Sequence, residues 1–170
     1  MNLNWDKKEL TPQKIGKFCE YYAKMTLASY GMAVYTCEAD DHGIDFIAES
    51  KIGFLKFQVK SAFKAKYVFQ KERYFDINDN SLYLILLLLS DGNFPSVYII
   101  PTSAWKNAAA GPFVCHHYGE REYGINISDK NMAELNKYSI ENMIDKIIWF
   151  LPAFFKINPM CYPDIFLPLR

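Results

Sequence analysis

The chain has 170 residues, a length that favours one domain built around one core. Hydrophobic residues make up 51% of it and charged residues 22%, a composition that excludes an intrinsically disordered chain. Nineteen basic residues balance nineteen acidic ones, so net charge alone does not indicate a polyanionic partner.

The first predicted element is a helix from about residue 12 to residue 30. Thr11 and Pro12 are a capping residue and a first-turn proline, and Gly31 supplies the stop signal. One stripe of this helix is mainly apolar and a second carries lysines, with Glu20 at the border between them. The residues 32–37 that follow predict a short strand, and 38–43 an acidic loop.

Residues 44–49 and 54–61 predict two strands of a hairpin that reverses at Lys51 and Ile52. Counting outwards from that turn places Ala48 opposite Leu55 and Phe46 opposite Phe57. One face of the predicted hairpin is therefore wholly apolar.

The other face of the hairpin carries polar side chains. The same register places Asp45 directly opposite Gln58, with Lys60 two residues further along and pointing the same way. Directly opposed residues have Cβ atoms about 4.5–5.5 Å apart, so the oxygens of Asp45 and Gln58 could hold one small cation between them. Magnesium prefers such oxygen ligands, and Lys60 would lie beside a water bound to the metal.

The rest of the chain gives fewer signals. The predicted elements are a buried strand at Leu82–Leu89, a turn at 91–93, a strand at Val97–Ile100, and two helices that begin near Ser128 and near Ser139 with capping residues. Residues 63–76 receive no definite assignment. We expect residues 1–150 to form the domain and the proline- and aromatic-rich tail, 151–170, to pack on that domain or on a partner subunit.

Basic residues cluster between Lys51 and Arg73, where seven lysines and arginines accompany one acidic residue. Within this stretch Lys56, Lys64 and Lys66 are the predicted contacts to a nucleic-acid backbone. The alternative is a solvated surface that binds nothing.

The cysteines form no CxxC pair, and the first residues lack the form of a signal peptide, which together predict a cytoplasmic location. The longest apolar run has eight residues, 82–89, which is too short to span a membrane. A zinc site at Cys115, His116 and His117 is rejected because adjacent strand residues point to opposite faces. His42 is interpreted as a solvated loop residue.

The pattern between Lys14 and Ser61 resembles the PD-(D/E)xK, or restriction-endonuclease-like, phosphodiesterases, including archaeal Holliday-junction resolvases and related short bacterial proteins. The residues that carry the resemblance are Gly16, Glu20, Gly31, the run Gly43-Ile44-Asp45-Phe46-Ile47, and the run Phe57-Gln58-Val59-Lys60-Ser61. The resemblance implies an α/β fold with a restriction-endonuclease-like core, in which a central mixed β-sheet is flanked by helices.

The resemblance also implies roles for four residues. Asp45, Gln58 and Glu20 would bind Mg²⁺ or Mn²⁺, Lys60 would assist the attacking water, and the reaction would be hydrolysis of phosphodiester bonds in DNA rather than RNA. Two positions depart from the family pattern, since Ile44 replaces a proline and Gln58 replaces a carboxylate.

Two other functions remain open, the first because Gln58 and the overall charge are both neutral. One is a weak or inactive nuclease-like fold that binds nucleic acid or a protein. The other is an interaction protein whose tail builds an oligomer such as a homodimer.

Overall fold

The computed structural model describes residues 5, 10–36, 43–63, 67–107 and 111–148. Helix α1 (Pro12–Ser29) begins and ends as predicted. Its N-cap Thr11 accepts a hydrogen bond from the backbone N–H of Lys14 at 3.3 Å, and Gly31 after its end has a φ of +86°. The local signals of the sequence are therefore sufficient to place this helix.

Eight strands occur in the described residues: β1 (Val34–Thr36), β2 (Phe46–Ser50), β3 (Gly53–Phe63), β4 (Tyr67–Lys71), β5 (Leu82–Leu89), β6 (Ser96–Pro101), β7 (Phe113–Tyr118) and β8 (Glu120–Asn126). Five of them form the central sheet in the order β1-β2-β3-β5-β6. This sheet is mixed, because β3 and β5 are parallel whereas the other neighbours are antiparallel. The predicted mixed sheet is confirmed.

The β2–β3 hairpin has the register that the sequence predicts. Ser50 pairs with Gly53, Ala48 with Leu55, and Phe46 with Phe57. The turn is stabilised by the hydroxyl of Ser50, which donates to the carbonyl of Gly53 at 2.7 Å and accepts from the N–H of Ile52 at 3.2 Å. Strand β2 begins two residues later than predicted, which leaves Asp45 just outside it.

The remaining strands β4, β8 and β7 form a second, antiparallel sheet. Residues 63–76 have no definite assignment from the sequence, and no strand is predicted between 113 and 126, so this sheet is an addition to the predicted fold. Cys115 pairs with Tyr123 and His116 with Glu122, so neighbouring side chains on β7 alternate between the two faces of this sheet.

Two further helices follow at the predicted positions, α2 (Asp129–Leu135) and α3 (Ile140–Ile147). The capping residues Ser128 and Ser139 precede them, but neither side chain makes a capping hydrogen bond. Both serines are the N-cap residues by position, so the predicted helix starts are confirmed. The tail, residues 151–170, lies outside the described residues.

The central sheet is covered on both faces. One core lies under α1 and α3 and contains Phe46, Phe57 and Ile85. The other lies under the second sheet and α2 and contains Leu84, Trp105 and Ile125. On β3, odd-numbered positions such as Phe57 therefore face α1, whereas even-numbered positions face the second sheet. None of the described helices is long and apolar enough to cross a membrane.

Candidate active site

Asp45 is anchored to the edge of β3. Its backbone N–H donates to the carbonyl of Phe57 at 2.9 Å, and its carboxylate Oδ2 accepts from the backbone N–H of Val59 at 2.6 Å. Phe57 is already the register partner of Phe46, so the Asp45 bond is shifted by one residue from the ladder. The chain leaves the ladder at this point, and a carboxylate oxygen replaces the strand carbonyl that would otherwise pair with Val59.

Gln58 lies beside this anchor on β3. It pairs in register with Leu84, and its side chain is only 6% exposed, on the face towards the second sheet. Within the described part of the chain, its side-chain oxygen Oε1 is buried and has no hydrogen-bond partner. A buried acceptor without a partner costs free energy, so this oxygen is a strong candidate for a ligand contact.

Gly43 brings the loop before Asp45 against Gln58. Its φ is +70°, a conformation that other residues rarely adopt. A Cβ at this position would lie 2.9 Å from Nε2 of Gln58 and 3.0 Å from Cβ of Tyr74. Glycine is therefore needed both for the backbone conformation and for the close approach.

Lys60 lies two residues beyond Gln58 and is half-buried. It pairs in register with Leu86, so its side chain leaves the same face of β3 as that of Gln58. With the described residues it forms no ion pair. Its ammonium group is therefore available to a substrate or a bound water.

Glu20 approaches from the other side of the sheet, because α1 covers the opposite face of β3. Its carboxylate accepts a hydrogen bond from Lys17 Nζ at 2.6 Å. That bond and the charge of Glu20 raise the pKa of Lys17, and the charge of Asp45 makes a smaller contribution in the same direction. The pKa of Lys17 therefore responds to both carboxylates, and the direct contact of Lys17 is with Glu20.

Cys19 on α1 and Ser61 on β3 form a contact next to Glu20 and Lys60. Burial raises the pKa of the Cys19 thiol to about 11, against the opposing effect of a hydrogen bond with Ser61. Cys19 precedes Glu20, and Ser61 follows Lys60. This buried contact holds the Glu20 turn of the helix at the level of Lys60 on the strand.

The three lysines predicted to contact nucleic acid are not equally placed. Lys56 Nζ lies 2.6 Å from Oδ2 of Asp79, in a partly exposed ion pair. Partial burial would raise the pKa of Asp79, but hydrogen bonds from Lys56 and Ser81 outweigh it and hold that pKa below its usual value. Lys64 and Lys66 lie outside the described residues, so their predicted role stays a prediction.

The residues at β3 suit a hard divalent ion in chemical type. Asp45 offers carboxylate oxygens and Gln58 a buried amide oxygen without a protein partner, and magnesium is commonly held by one or two such groups together with water and substrate phosphate. Across the described ranges, no group of three or more His, Cys, Asp and Glu side chains is arranged to hold a metal ion. The donor set would accordingly depend on Gln58.

Two residues that lie next to the site were not predicted from the sequence. Tyr74 contacts Gly43, and Asp79 pairs with Lys56. Both lie in a segment whose structure the sequence left unassigned or unremarked. Only the folding of the chain after β4 back onto β3 brings them to the hairpin.

The similarity of this chain to known proteins is one of fold. No family model matches the sequence, and no curated protein gives a significant match. Among solved structures, the fold is similar to that of a bacterial homing endonuclease, with a TM-score of 0.47 and 16% sequence identity. The similarity covers 79% of this chain and 90% of that chain.

Proposed function

We propose that this chain is a metal-dependent nuclease that hydrolyses phosphodiester bonds, in DNA rather than RNA. The observation that carries the proposal is the buried amide oxygen of Gln58 without a protein partner among the described residues, on a strand whose next residue, Val59, donates to the carboxylate of Asp45. Lys60 on the same face of the strand supports it. These are the three β3-side residues that the sequence pattern singled out.

In this proposal Asp45 and Gln58 would hold Mg²⁺ or Mn²⁺. Glu20, which lies on α1 across the sheet from Gln58, would reach the same ion past the edge of the hairpin at Asp45, after exchanging its contact with Lys17. An exposed ion pair such as Lys17–Glu20 contributes little to stability, so its rearrangement would cost little. Bound at this place, a divalent ion would neutralise phosphate charge and lower the pKa of a coordinated water.

The remaining chemistry belongs to the residues of the chain. The hydrogen bond from Val59 keeps one oxygen of Asp45 fixed, which limits the orientations of its carboxylate. Lys60 would hold the attacking water or a phosphate oxygen and stabilise the negative charge that develops there. Gly43 and Tyr74 close the space around the Gln58 amide.

The test is cleavage of several DNA forms, single-stranded, duplex and branched, with Mg²⁺ or Mn²⁺. Lys60→Ala should lower the cleavage rate by at least about 100-fold. This is the lower end of the usual effect of a side chain that assists proton transfer in the transition state. Lys130→Ala, at an exposed position on α2, is the matched control and should cleave normally. Absence of cleavage by the native chain, or equal cleavage by Lys60→Ala, would refute the proposal.

A second function is favoured by the chemistry of Gln58 itself. A neutral amide attracts a divalent cation less strongly than a carboxylate does, which suits a nuclease-like fold that binds nucleic acid without cutting it. Calorimetry separates the two functions. Metal binding that Asp45→Asn abolishes supports the nuclease, whereas DNA binding without metal, weakened steeply by salt, supports the binding protein.

The place of action proposed here is the cytoplasm. The described cysteines, Cys19 and Cys115, are both free thiols, which agrees with a reducing compartment. A homodimer is the assembly that the apolar tail would favour. Sedimentation of the full chain as a monomer at high concentration would contradict that assembly.

A further inference from the structure

Gln70 on β4 is a second buried glutamine whose amide has no partner. Its side chain is 3% exposed, and neither its oxygen Oε1 nor its nitrogen Nε2 has a hydrogen-bond partner among the described residues. The other buried polar side chains in the described ranges are different, since Ser50, Thr102 and Asn131 each make a hydrogen bond. Gln58 and Gln70 are therefore the two buried carboxamides whose oxygens have no protein partner in this part of the chain.

Gln70 faces the layer between the two sheets, as Gln58 does. It pairs in register with Tyr123 on β8, which is buried in the second core, and Val68, two residues earlier on β4, packs against the same core. Gln58 enters this layer from β3, where its register partner Leu84 belongs to that core. The two carboxamides thus enter one layer from opposite sheets.

The chain after β4 leads from Gln70 back to Gln58. A 3-10 turn, Glu72–Tyr74, follows β4 directly. The Cβ of Tyr74 and Nε2 of Gln58 both lie within 3.0 Å of the position that a Cβ on Gly43 would take. Gln70 is four residues before Tyr74, so their Cα atoms are at most about 14 Å apart. Gln70 is therefore placed at the end of the layer where the candidate active site lies.

Side-chain contacts connect the same two positions. The ring of Tyr123, the register partner of Gln70, lies 6.1 Å from the ring of Phe75, the residue after the 3-10 turn. The hydroxyl of Tyr123 also donates to the carboxylate of Glu72 at 3.3 Å. The strand pair that carries Gln70 thus packs against the turn that approaches Gln58.

We propose that Gln70 is a further metal-binding residue of the candidate active site, whose amide oxygen binds the divalent ion together with Asp45 and Gln58. This inference rests on the proposed function, because it concerns the same ion. Across the described ranges, His, Cys, Asp and Glu side chains do not form a group of three that could hold a metal, so a third donor near Gln58 would be of another type. Carbonyl oxygens are donors that suit magnesium and manganese.

The chemistry of a carboxamide accounts for both unpartnered atoms of Gln70. Its oxygen can only accept and would bind the cation, whereas its NH₂ group can only donate and would bind a water on the ion or a phosphate oxygen. Gln70 enters from the side of β3 on which Gln58 lies, whereas Glu20 lies under the opposite face. Gln70 therefore supplies a donor on the Gln58 side of the sheet.

The experiment measures Mg²⁺ and Mn²⁺ binding to the full chain by calorimetry without nucleic acid, and Tm with a chelator or with metal. Gln70→Met keeps a side chain of similar length but removes the amide. It should raise the Kd for metal at least about tenfold, the smaller end of the effect of residues that support a metal site. With a chelator, its Tm should equal or exceed the native Tm, because two buried polar atoms without partners are removed. A role in packing alone would leave the Kd for metal unchanged.

A second variant keeps the test decisive if Gln70→Met fails to fold. Gln70→Glu should be less stable than the native protein with a chelator, because it buries a charge, and Mg²⁺ should raise its Tm by more than it raises the native Tm. Gln13→Met removes an exposed glutamine on α1 and is the matched control, which should bind metal with the native Kd.

The outcomes separate this inference from the proposed function. Native Kd in Gln70→Met, an equal Mg²⁺ shift of Tm in Gln70→Glu and the native chain, or an equal loss of affinity in Gln13→Met would each overturn the role of Gln70. The nuclease proposal would still stand in those cases if Asp45→Asn abolished metal binding. Absence of metal binding by the native chain would overturn both.

Discussion

Substitution of Asp45 separates the structural contribution of this residue from its proposed chemistry. The carboxylate accepts a short, 2.6 Å hydrogen bond from the N–H of Val59 in a partly buried position. Hydrogen bonds to charged groups contribute about 1.5–3 kcal/mol to stability, and an unpaired buried N–H costs a similar amount. We therefore expect Asp45→Ala to lower the free energy of unfolding by about 2 kcal/mol.

Asp45→Asn keeps an oxygen that can accept the bond from Val59 but removes the charge. The expected loss of stability is roughly half of that for alanine, about 1 kcal/mol, because a neutral acceptor makes a weaker bond. Both variants should lose divalent-ion binding and cleavage completely. The two variants thus differ in stability but not in activity.

The assay is urea denaturation followed by tryptophan fluorescence, since Trp5 and Trp105 are buried and report the folded state. Asp145→Asn, at an exposed position on α3, is the control for removing a carboxylate and should be neutral. Native stability of Asp45→Ala would show that the Val59 bond contributes nothing. Native cleavage by Asp45→Asn would show that this carboxylate does not bind the metal.

Three further predictions follow from the described contacts. Without metal, Gln58→Glu should be less stable than the native protein, because it buries a charge. Mg²⁺ should raise the Tm of Gln58→Glu by more than it raises the Tm of the native protein. Equal increases in Tm with Mg²⁺ would argue against Gln58 as a ligand. Phe57→Ala should cost about 3–5 kcal/mol in denaturation experiments because the ring is fully buried, whereas Phe54→Ala, at a position 61% exposed, should cost far less. The pKa of Cys19 is about 11 in the folded state, against 9.0 for an ordinary thiol, so Cys19 keeps its proton at pH 8. In a chain with the other two cysteines changed to serine, a thiol reagent should label the exposed Cys115 while Cys19 resists it. Since the folded state then holds a proton that the unfolded state releases, Cys19 should also make stability fall as pH rises from about 9 towards 11, a slope that Cys19→Ala should remove.

Local signals were sufficient for the elements whose information lies within a few residues. Thr11, Pro12 and Gly31 delimit α1 because caps act over one helical turn. The two-residue reversal at Lys51 and Ile52 sets the hairpin register, since side-chain alternation has a period of two. The apolar run of β5 is a strand buried on both faces, as its composition indicates.

The second sheet was not predictable in the same way. Strand β4 pairs with β8, more than fifty residues later in the chain, and neither has a strong apolar alternation. Gly124 within β8 and the run His116-His117 within β7 are weak strand formers when read locally. Their pairing is stabilised by Trp105, Phe113 and the rest of the second core, which exist only once the chain is folded.

Some features of the candidate site are likewise local in the sequence, whereas others depend on the folded chain. The sequence by itself determined which residues of the β2–β3 ladder share a face, and so it placed Gln58 and Lys60 on one face of β3, because alternation along a strand is a local property. Only the tertiary structure decided that Asp45 leaves the ladder to bind Val59, that Gln58 is buried with an unpartnered oxygen, and that Glu20 lies across the sheet beside Lys17. Those features depend on packing between segments far apart in the chain, and burial and long-range contact cannot be read from local periodicity.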